Sequence, residues 1–327
     1  TVEKLCFSRL TTRSANMSVV PGIAATIVAG FVMGSGAWAV KAIRGFKIEH
    51  LLLAGTPFSL VIIPLTLTLI LCPNAIDGYR SVDSIVFLKS NLFSLGWGLA
   101  SVLSNLCMVR IGAALTGGIV SGLAISFGAM IPLIFVTSSL FENAPTITSV
   151  TSRIIVLGVA VMLVGVVFVS LAGFGRDREL KRLGKKKTGF LGGLIMAVVA
   201  GMLSGGPNFA FACSQKPIRD AMIARGAAEL PATFAVWPVG LCGGLLVVIS
   251  YSVYTITKNR SWDVLRKNPK ELIIPVAAAI QFSAAILLFG VGNGILGTMG
   301  PSVGWGTYVG ASILGGQMIG FLWGEWS

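Results

Sequence analysis

Two long apolar halves of the chain are separated by Gly173-Phe-Gly-Arg-Asp-Arg-Glu-Leu-Lys-Arg-Leu-Gly-Lys-Lys-Lys-Thr-Gly189. The seven basic residues of this stretch are Arg176, Arg178, Lys181, Arg182, Lys185, Lys186 and Lys187. Short loops rich in Lys and Arg remain on the cytoplasmic side of a bilayer, because moving several cations across it is costly and opposed by the membrane potential. The sequence therefore predicts a basic cytoplasmic connector at residues 175–188.

The composition indicates an integral membrane protein rather than a soluble globule. Of the 327 residues, 54% are hydrophobic and only 11% are charged. The net charge of +13 does not indicate nucleic-acid binding, because the basic residues lie in short connectors between apolar runs. The five cysteines are odd in number and lack CxxC spacing, so they indicate neither a disulfide framework nor a metal site.

Nine apolar segments are long enough to cross a bilayer as helices of about 20 residues. They lie at residues 20–40, 50–72, 90–110, 113–137, 154–174, 189–211, 233–257, 272–292 and 300–323. The connectors after the first, third, fifth and seventh of these spans carry 16 of the 25 basic residues. This bias predicts that these connectors face the cytoplasm and that the N-terminus lies outside, in a multi-pass protein of the cell (inner) membrane.

An internal repeat relates the two halves. Residues 112–131 and 300–319 share seven identities in twenty positions, and Val28-Ala29-Gly30 with Gly34 matches Val199-Ala200-Gly201 with Gly205. Because five spans precede the basic connector, the second half would enter the membrane from the opposite side, as in the inverted repeats of secondary transporters. The alternative is a chance match between glycine-rich apolar helices, which are common in membranes.

The repeat predicts an all-α integral membrane fold of ten helices in two inverted sets of five. The first repeat would occupy residues 20–174, after an N-terminal tail at 1–19, and the second would occupy 189–327. Only nine spans are present in this chain, so the tenth helix is expected to be missing from it.

Several short motifs resemble the L-rhamnose/proton symporter family of the drug/metabolite transporter superfamily. These motifs are Ala29-Gly30-Phe31, Phe46-Lys47-Ile48-Glu49, Leu95-Gly96-Trp97-Gly98, Lys216-Pro217, Gly304-Trp305 and Gly324-Glu325-Trp326. The resemblance implies a ten-helix fold with a central substrate cavity, and uptake of a deoxy sugar coupled to protons. The missing tenth helix departs from that pattern.

Polar and aromatic side chains inside the spans are the candidate substrate-binding residues: Trp97, Asn105, Asn208, Gln281, Trp305 and Tyr308. A Trp can stack on the apolar face of a pyranose, and an amide supplies both a donor and an acceptor to hydroxyl groups. The alternative role is helix packing, in which Asn bonds across helices and the glycine pairs Gly118/Gly122 and Gly306/Gly310 allow close approach. Trp38, Trp262, Trp323 and Trp326 lie near the expected membrane interfaces, where Trp is common.

A proton-coupled carrier needs a titratable group that the substrate path can reach. None of the twelve acidic residues falls in the middle of a predicted span. The candidates for coupling are therefore Glu325, Lys216 and His50, which lie near helix ends.

The leading hypothesis is a secondary active transporter that takes up a small sugar, L-rhamnose or a similar one, with a proton. A uniporter or exchanger of the same superfamily, or a non-transporting subunit of a membrane complex, are the alternatives. An enzyme is disfavoured, because His50 is the only histidine and no Ser/His/Asp or His cluster is available for acid/base chemistry. The expected partners are the sugar, a proton and the lipid bilayer, without nucleic acid, metal or cofactor.

Overall fold

The computed structural model of the protein describes residues 2–111, 113–134, 150–182 and 189–323. Every regular element in these ranges is helical. The first eight α-helices are α1 Val2–Ser35, α2 Trp38–Ala42, α3 Ile48–Pro57, α4 Ile63–Leu71, α5 Ala75–Arg80, α6 Ser84–Ile111, α7 Ala113–Ile134 and α8 Val150–Arg182. The others are α9 Phe190–Leu203, α10 Gly206–Ile223, α11 Glu229–Phe234, α12 Val236–Gly240, α13 Cys242–Lys258, α14 Asp263–Lys267, α15 Ile273–Leu296 and α16 Trp305–Leu322. Short π-helices (Phe58–Ile62, Gly300–Gly304) and 3-10 helices (Pro269–Leu272, Gly297–Met299) join some of them.

The described helices confirm a multi-pass membrane protein but not the predicted count of nine spans. Six helical segments of the described chain are long and apolar enough to cross a membrane, or seven if the bent pair Glu229–Gly240 and Cys242–Lys258 forms one span. The predicted spans at 113–137 and 300–323 coincide with α7 and α16, which lie outside that count.

Several boundaries differ from those that the apolar runs predict. Helix α8 continues through Arg182, so the first half of the expected connector is helical, and residues 183–188 lie outside the described ranges. Helix α1 begins at Val2, within the expected N-terminal tail. Helix α10 runs on to Ile223, about three turns beyond the predicted end of that span. Charged residues continue these helices because a helix can extend past the hydrocarbon layer into water.

Proline and glycine break the long helices, and side chains of neighbouring helices satisfy the freed backbone groups. The π-helix before α4 leaves the Ser59 carbonyl without its usual partner, because Pro64 has no N–H. The Ser283 hydroxyl of α15 donates to that carbonyl at 3.0 Å, and both residues are buried. Breaks of this kind are tolerated within a membrane only where such partners exist.

The first helix of each apolar half packs against helices of the other half. Helix α1 lies against α15 and α16, whereas α9 lies against α6 and α7. A central aromatic cluster fills the space between them, with Trp237 stacked on Phe211 at 4.8 Å and Phe289 packed against Tyr308 at 4.5 Å between ring centroids. Helix α8 packs mainly on α7 and exposes large apolar side chains such as Leu157 and Phe168, as a lipid-facing helix does.

Candidate functional site

The described helices form an open cavity of about 260 Å³ beside the aromatic cluster. Its wall includes residues from α1, α2, α3, α6, α13, α15 and the π-helix Phe58–Ile62. The polar side chains in the wall are Thr56, Ser59, Trp97, Ser101 and Gln281, and the rest are apolar or glycine. A mostly apolar lining with a few polar groups is typical of a site for a small molecule. The volume is slightly below the range of about 300–1,000 Å³ that is usual for ligand pockets, so it suits one small neutral molecule.

The cavity lies beside a break in the first span. Helix α1 ends at Ser35, and the Gly36 N–H bonds to the Met33 carbonyl, so the Val32 carbonyl has no backbone N–H at the usual helical position. The carboxamide of Gln281 on α15 bonds to that carbonyl. Its Nε2 donates to Val32 O at 2.7 Å and to Ser35 Oγ at 2.8 Å. Gln281 therefore both stabilises the helix break and forms part of the cavity wall.

Trp38 contacts a residue of the cavity wall, which the sequence did not reveal. The sequence suggests an interfacial anchor, but the Trp38 Nε1–H donates to Gln281 Oε1 at 2.5 Å. Trp38 begins the short helix α2, whose next two residues, Ala39 and Val40, line the cavity. A lone Trp after Gly36-Ala37 carries no pattern that would identify a partner more than two hundred positions away.

Trp97 reaches the cavity from the opposite wall. It lies on α6, and the Cε3–Cζ3 edge of its indole packs so closely on Gly244 that an added Cβ there would lie 2.7 Å from Cε3. The N–H edge is on the other side of the indole, and no hydrogen bond joins it to another described residue. Of the six predicted binding residues, Trp97 and Gln281 are the two that line the cavity.

Asn208 lies instead in a packing contact between three elements. It is fully buried, and its Nδ2 donates to Gly128 O at 3.0 Å and to Pro301 O at 2.7 Å. The Gly128 carbonyl is free because Pro132, four residues later in α7, has no N–H. Asn208 therefore replaces a missing backbone hydrogen bond, which is the helix-packing role.

The other predicted binding residues also lie away from the cavity. Trp305 is buried and its Nε1–H donates to the Ala124 carbonyl of α7 at 2.9 Å. Tyr308 is buried within the aromatic cluster, 5.7 Å from the ring of Trp305. Asn105 is half-buried on α6 and is not part of the cavity wall.

The candidates for proton coupling occupy three different environments. His50 is fully buried, and its Nδ1 accepts from the Lys47 N–H at 3.2 Å, so Nε2 carries the proton and donates to Ser261 O at 3.0 Å. Lys216 is exposed on α10, next to Pro217. Glu325 lies outside the described residues.

The chemistry available at this site is binding rather than catalysis. None of the side chains in the cavity wall is acidic or basic. No group of three or more His, Cys, Asp or Glu residues that could hold a metal ion occurs in the described ranges. What the wall offers is an amide, an indole N–H and three hydroxyl groups against apolar surface, which suits a ligand with hydroxyl groups and an apolar face.

Comparisons with known proteins extend the resemblance seen in the motifs. Residues 15–327 match the family described as L-rhamnose-proton symport protein. The L-rhamnose-proton symporter of Yersinia pestis (strain Pestoides F) is 25% identical over 294 residues, which are 88% of this chain and 83% of that protein. The protein of the same name from Cronobacter sakazakii (strain ATCC BAA-894) is 24% identical over the same shares.

No solved structure gave a significant match to the chain. The family match covers almost the whole sequence, including every helix that lines the cavity. It confirms the resemblance inferred from the short motifs. The chain belongs to the L-rhamnose-proton symport protein family.

Proposed function

We propose that this protein is a secondary active transporter that moves a small sugar, L-rhamnose or a close analogue, together with a proton. The name of the family and of the relatives describes such a symporter and not an enzyme. The observation that carries the proposal is the cavity between Trp97 and Gln281, which has the size and polarity for one neutral sugar.

The broken helices beside this cavity support transport. Span one is interrupted between α1 and α2, and the corresponding span of the second half is interrupted between α9 and α10, at Ser204 and Gly205. Discontinuous helices at corresponding positions of two halves are typical of transporter substrate sites. Trp97 contacts the second break, since an added Cβ at Gly206 would lie 2.9 Å from the Trp97 Cβ.

We further infer that the two halves form an inverted repeat of a ten-helix fold. The glycine contacts support this. A Cβ placed on Gly30 would lie 2.9 Å from Ala311 Cβ, and one placed on Gly201 would lie 2.6 Å from Leu123 Cβ. Gly201 is the repeat partner of Gly30, and Leu123 and Ala311 correspond in the alignment of α7 with α16. Equivalent positions therefore make equivalent contacts.

The same pairing holds one helical turn further along. Gly34 lies near Gly316, with 3.7 Å from the Gly34 carbonyl oxygen to a Cβ placed on Gly316. Their counterparts Gly205 and Gly128 also meet, with 3.4 Å from a Cβ placed on Gly205 to the Gly128 Cα. Under this proposal α1, α15 and α16 form one body and α9, α6 and α7 form the other, and alternating access would be a movement between them.

The orientation proposed from the basic connectors places residues 258–272 in the cytoplasm and the protein in the inner membrane. Contacts at this end join the two halves. The Glu271 carboxylate accepts backbone N–H groups of Gly45 at 2.7 Å and of Phe46 at 2.9 Å, and His50 bonds to Ser261. These contacts would have to rearrange for the cavity to open to the cytoplasm.

Uptake into proteoliposomes tests the proposal. Vesicles that contain the purified protein and an inward proton gradient should accumulate radiolabelled L-rhamnose above its external concentration, and a proton ionophore should abolish the accumulation. Vesicles without the protein are the control. Absence of uptake for L-rhamnose and related sugars by correctly folded protein would contradict the proposal.

A uniporter or exchanger is the second candidate, because none of the side chains in the cavity wall is acidic or basic. Uptake that is indifferent to the ionophore would favour this candidate over symport. If coupling occurs through Glu325, the Glu325→Gln variant should lose accumulation against a gradient but keep sugar exchange across the membrane. Equivalent variants at His50 and Lys216 distinguish the three coupling candidates.

A further inference from the structure

We propose that Gln281 recognises one hydroxyl group of the ligand as a hydrogen-bond donor, and so excludes ligands that present only an acceptor at that position. The inference rests on the proposed function, since it places the sugar in the cavity between Trp97 and Gln281. It adds to that function the direction of a hydrogen bond, which neither the family nor the cavity volume specifies.

The orientation of the Gln281 carboxamide is determined by its partners. The Trp38 indole has only a donor, and it contacts the oxygen Oε1. The Val32 carbonyl has only an acceptor, and it contacts the nitrogen Nε2. Exchanging the two amide atoms would place donor against donor and acceptor against acceptor. The oxygen therefore faces Trp38 and the nitrogen faces the helix break.

The partners also determine what remains for a ligand. An amide nitrogen has two N–H groups, and those of Gln281 are used by Val32 O and Ser35 Oγ. The Ser35 hydroxyl donates to Val32 O at 2.9 Å, so its oxygen is free to accept from Gln281. The amide oxygen has two lone pairs, and Trp38 occupies one of them. A single acceptor position is left, and a ligand group that binds there must donate.

The facing wall provides the complementary group. The Trp97 indole can only donate, and no hydrogen bond joins it to another residue in the part of the chain that the structure describes. The Ser59 and Ser101 hydroxyls donate to the backbone carbonyls of Thr56 and Trp97, each at 3.1 Å, so these two groups are already engaged as donors. The directions of bonding that Gln281 and Trp97 impose are complementary, and a hydroxyl group can satisfy both because it donates and accepts.

Equilibrium binding to sugar derivatives tests the inference. The probes are L-rhamnose and the derivatives in which a single ring hydroxyl is replaced by fluorine, which has a similar size and does not donate. Calorimetry on the purified wild-type protein should show one position at which the replacement weakens binding by roughly fivefold or more, as expected for the loss of a hydrogen bond of about 1 kcal/mol. Equal affinity for all derivatives would overturn the inference.

The variants then assign that loss to one side chain. Gln281→Met should weaken L-rhamnose binding and bind the sensitive derivative as well as the parent sugar. Trp97→Phe should weaken the binding of L-rhamnose and of the sensitive derivative by the same factor, so the ratio of the two affinities stays unchanged. Ser283→Ala, two positions further along α15 and outside the cavity wall, is the matched control and should keep the wild-type ratio. A Gln281→Met protein that still discriminates overturns the inference.

The measurements separate this inference from the proposed function. Folded wild-type protein that binds no sugar contradicts both. Sugar binding without a donor-sensitive position contradicts only the role of Gln281. Gln281→Met removes the partner of the helix break. If this variant does not fold for that reason, the inference is tested by binding of the fluorinated derivatives to the wild-type protein and to Trp97→Phe. Discrimination that disappears in Trp97→Phe would show that the fluorine-sensitive hydroxyl accepts from Trp97 instead of donating to Gln281, and would overturn the inference.

Discussion

At the scale of single residues, amide side chains in this protein complete the backbone of neighbouring helices. Asn208 bonds to the Gly128 carbonyl that Pro132 leaves free, and Gln281 bonds to the Val32 carbonyl at a helix break. The two amides differ in what lies on their other side. Asn208 is fully buried in protein, whereas Gln281 also borders the cavity. The same residue chemistry therefore has a packing role at one position and, under the proposed function, a binding role at the other.

We expect Asn208→Ala to lower the stability of the protein more than its affinity for the ligand. The substitution removes the amide donor from the carbonyls of Gly128 and Pro301, and hydrogen bonds between membrane helices contribute about 0.6 kcal/mol each on average. The expected loss is on the order of 1–2 kcal/mol, since buried unpaired carbonyls add a desolvation cost. Thermal unfolding in detergent measures it.

Asn105→Ala is the matched control, because this half-buried amide on α6 has no side-chain hydrogen bond with another described residue. It should shift the unfolding temperature by much less than Asn208→Ala. An equal shift in both variants would show that the amide of Asn208 contributes no more than a surface-facing one.

At the scale of helices, the two glycine pairs with GxxxG spacing differ: a Cβ added to Gly122 of α7 would overlap the Val166 side chain of α8, whereas the pair in α16 makes no close contact. In α16 an added Cβ on Gly306 would meet only Ile125 at 3.9 Å, and one on Gly310 would meet no described atom within 4 Å. The packing role expected for that pair is therefore not seen. A tight contact of α16 is at Gly30 of α1, where an added Cβ would overlap the Tyr308 carbonyl oxygen of α16. Spacing alone does not show which face of a helix meets a neighbour.

We expect Gly30→Ala to reduce the amount of folded protein sharply. The added methyl group would contact backbone, which cannot move aside as a flexible side chain can, so α1 and α16 would have to separate. Gly310→Ala adds the same group on α16 without a described neighbour and serves as the control. Size-exclusion profiles of the detergent-solubilised variants measure the effect, and a normal Gly30→Ala profile would contradict the close contact.

At the scale of the whole molecule, the first span of each half packs on the other half. This arrangement makes both halves necessary for the cavity, since α1, α3 and α6 from one half and α13 and α15 from the other contribute to its wall. The contacts of Glu271 and His50 join the halves again at the end that carries the basic connectors. An opening at that end therefore requires relative movement of the halves.

The proposed orientation predicts the accessibility of each end. A cysteine introduced at Lys270 should react with an impermeant maleimide only after the cells are opened, and one at Asp83 should react in intact cells. Both residues are exposed. Under the proposed topology an odd number of spans separates their connectors, so the two residues lie on opposite sides of the membrane. Labelling is compared with the parent protein, in which Cys72, Cys107, Cys213 and Cys242 are buried or half-buried. The reverse pattern would invert the orientation without changing the fold.

The amino-acid sequence is sufficient to identify a polytopic membrane protein of the L-rhamnose-proton symport family. Those properties depend on long apolar runs, on basic connectors and on short motifs, all of which are local and can be read along the chain. It also identified Trp97 and Gln281 as candidate binding residues, because polar groups within an apolar span are costly to bury and often mark functional sites.

Which of the candidates share a cavity depends on how the helices pack. Asn208 and Gln281 are both amides within apolar spans. Asn208 bonds to a carbonyl that a proline of another helix leaves free, whereas Gln281 bonds to a carbonyl at a helix break beside the cavity. The role of Trp38 depends on a contact with a residue 243 positions away. Such contacts arise from helix packing between the two halves, and packing depends on shape across the whole bundle rather than on any local pattern.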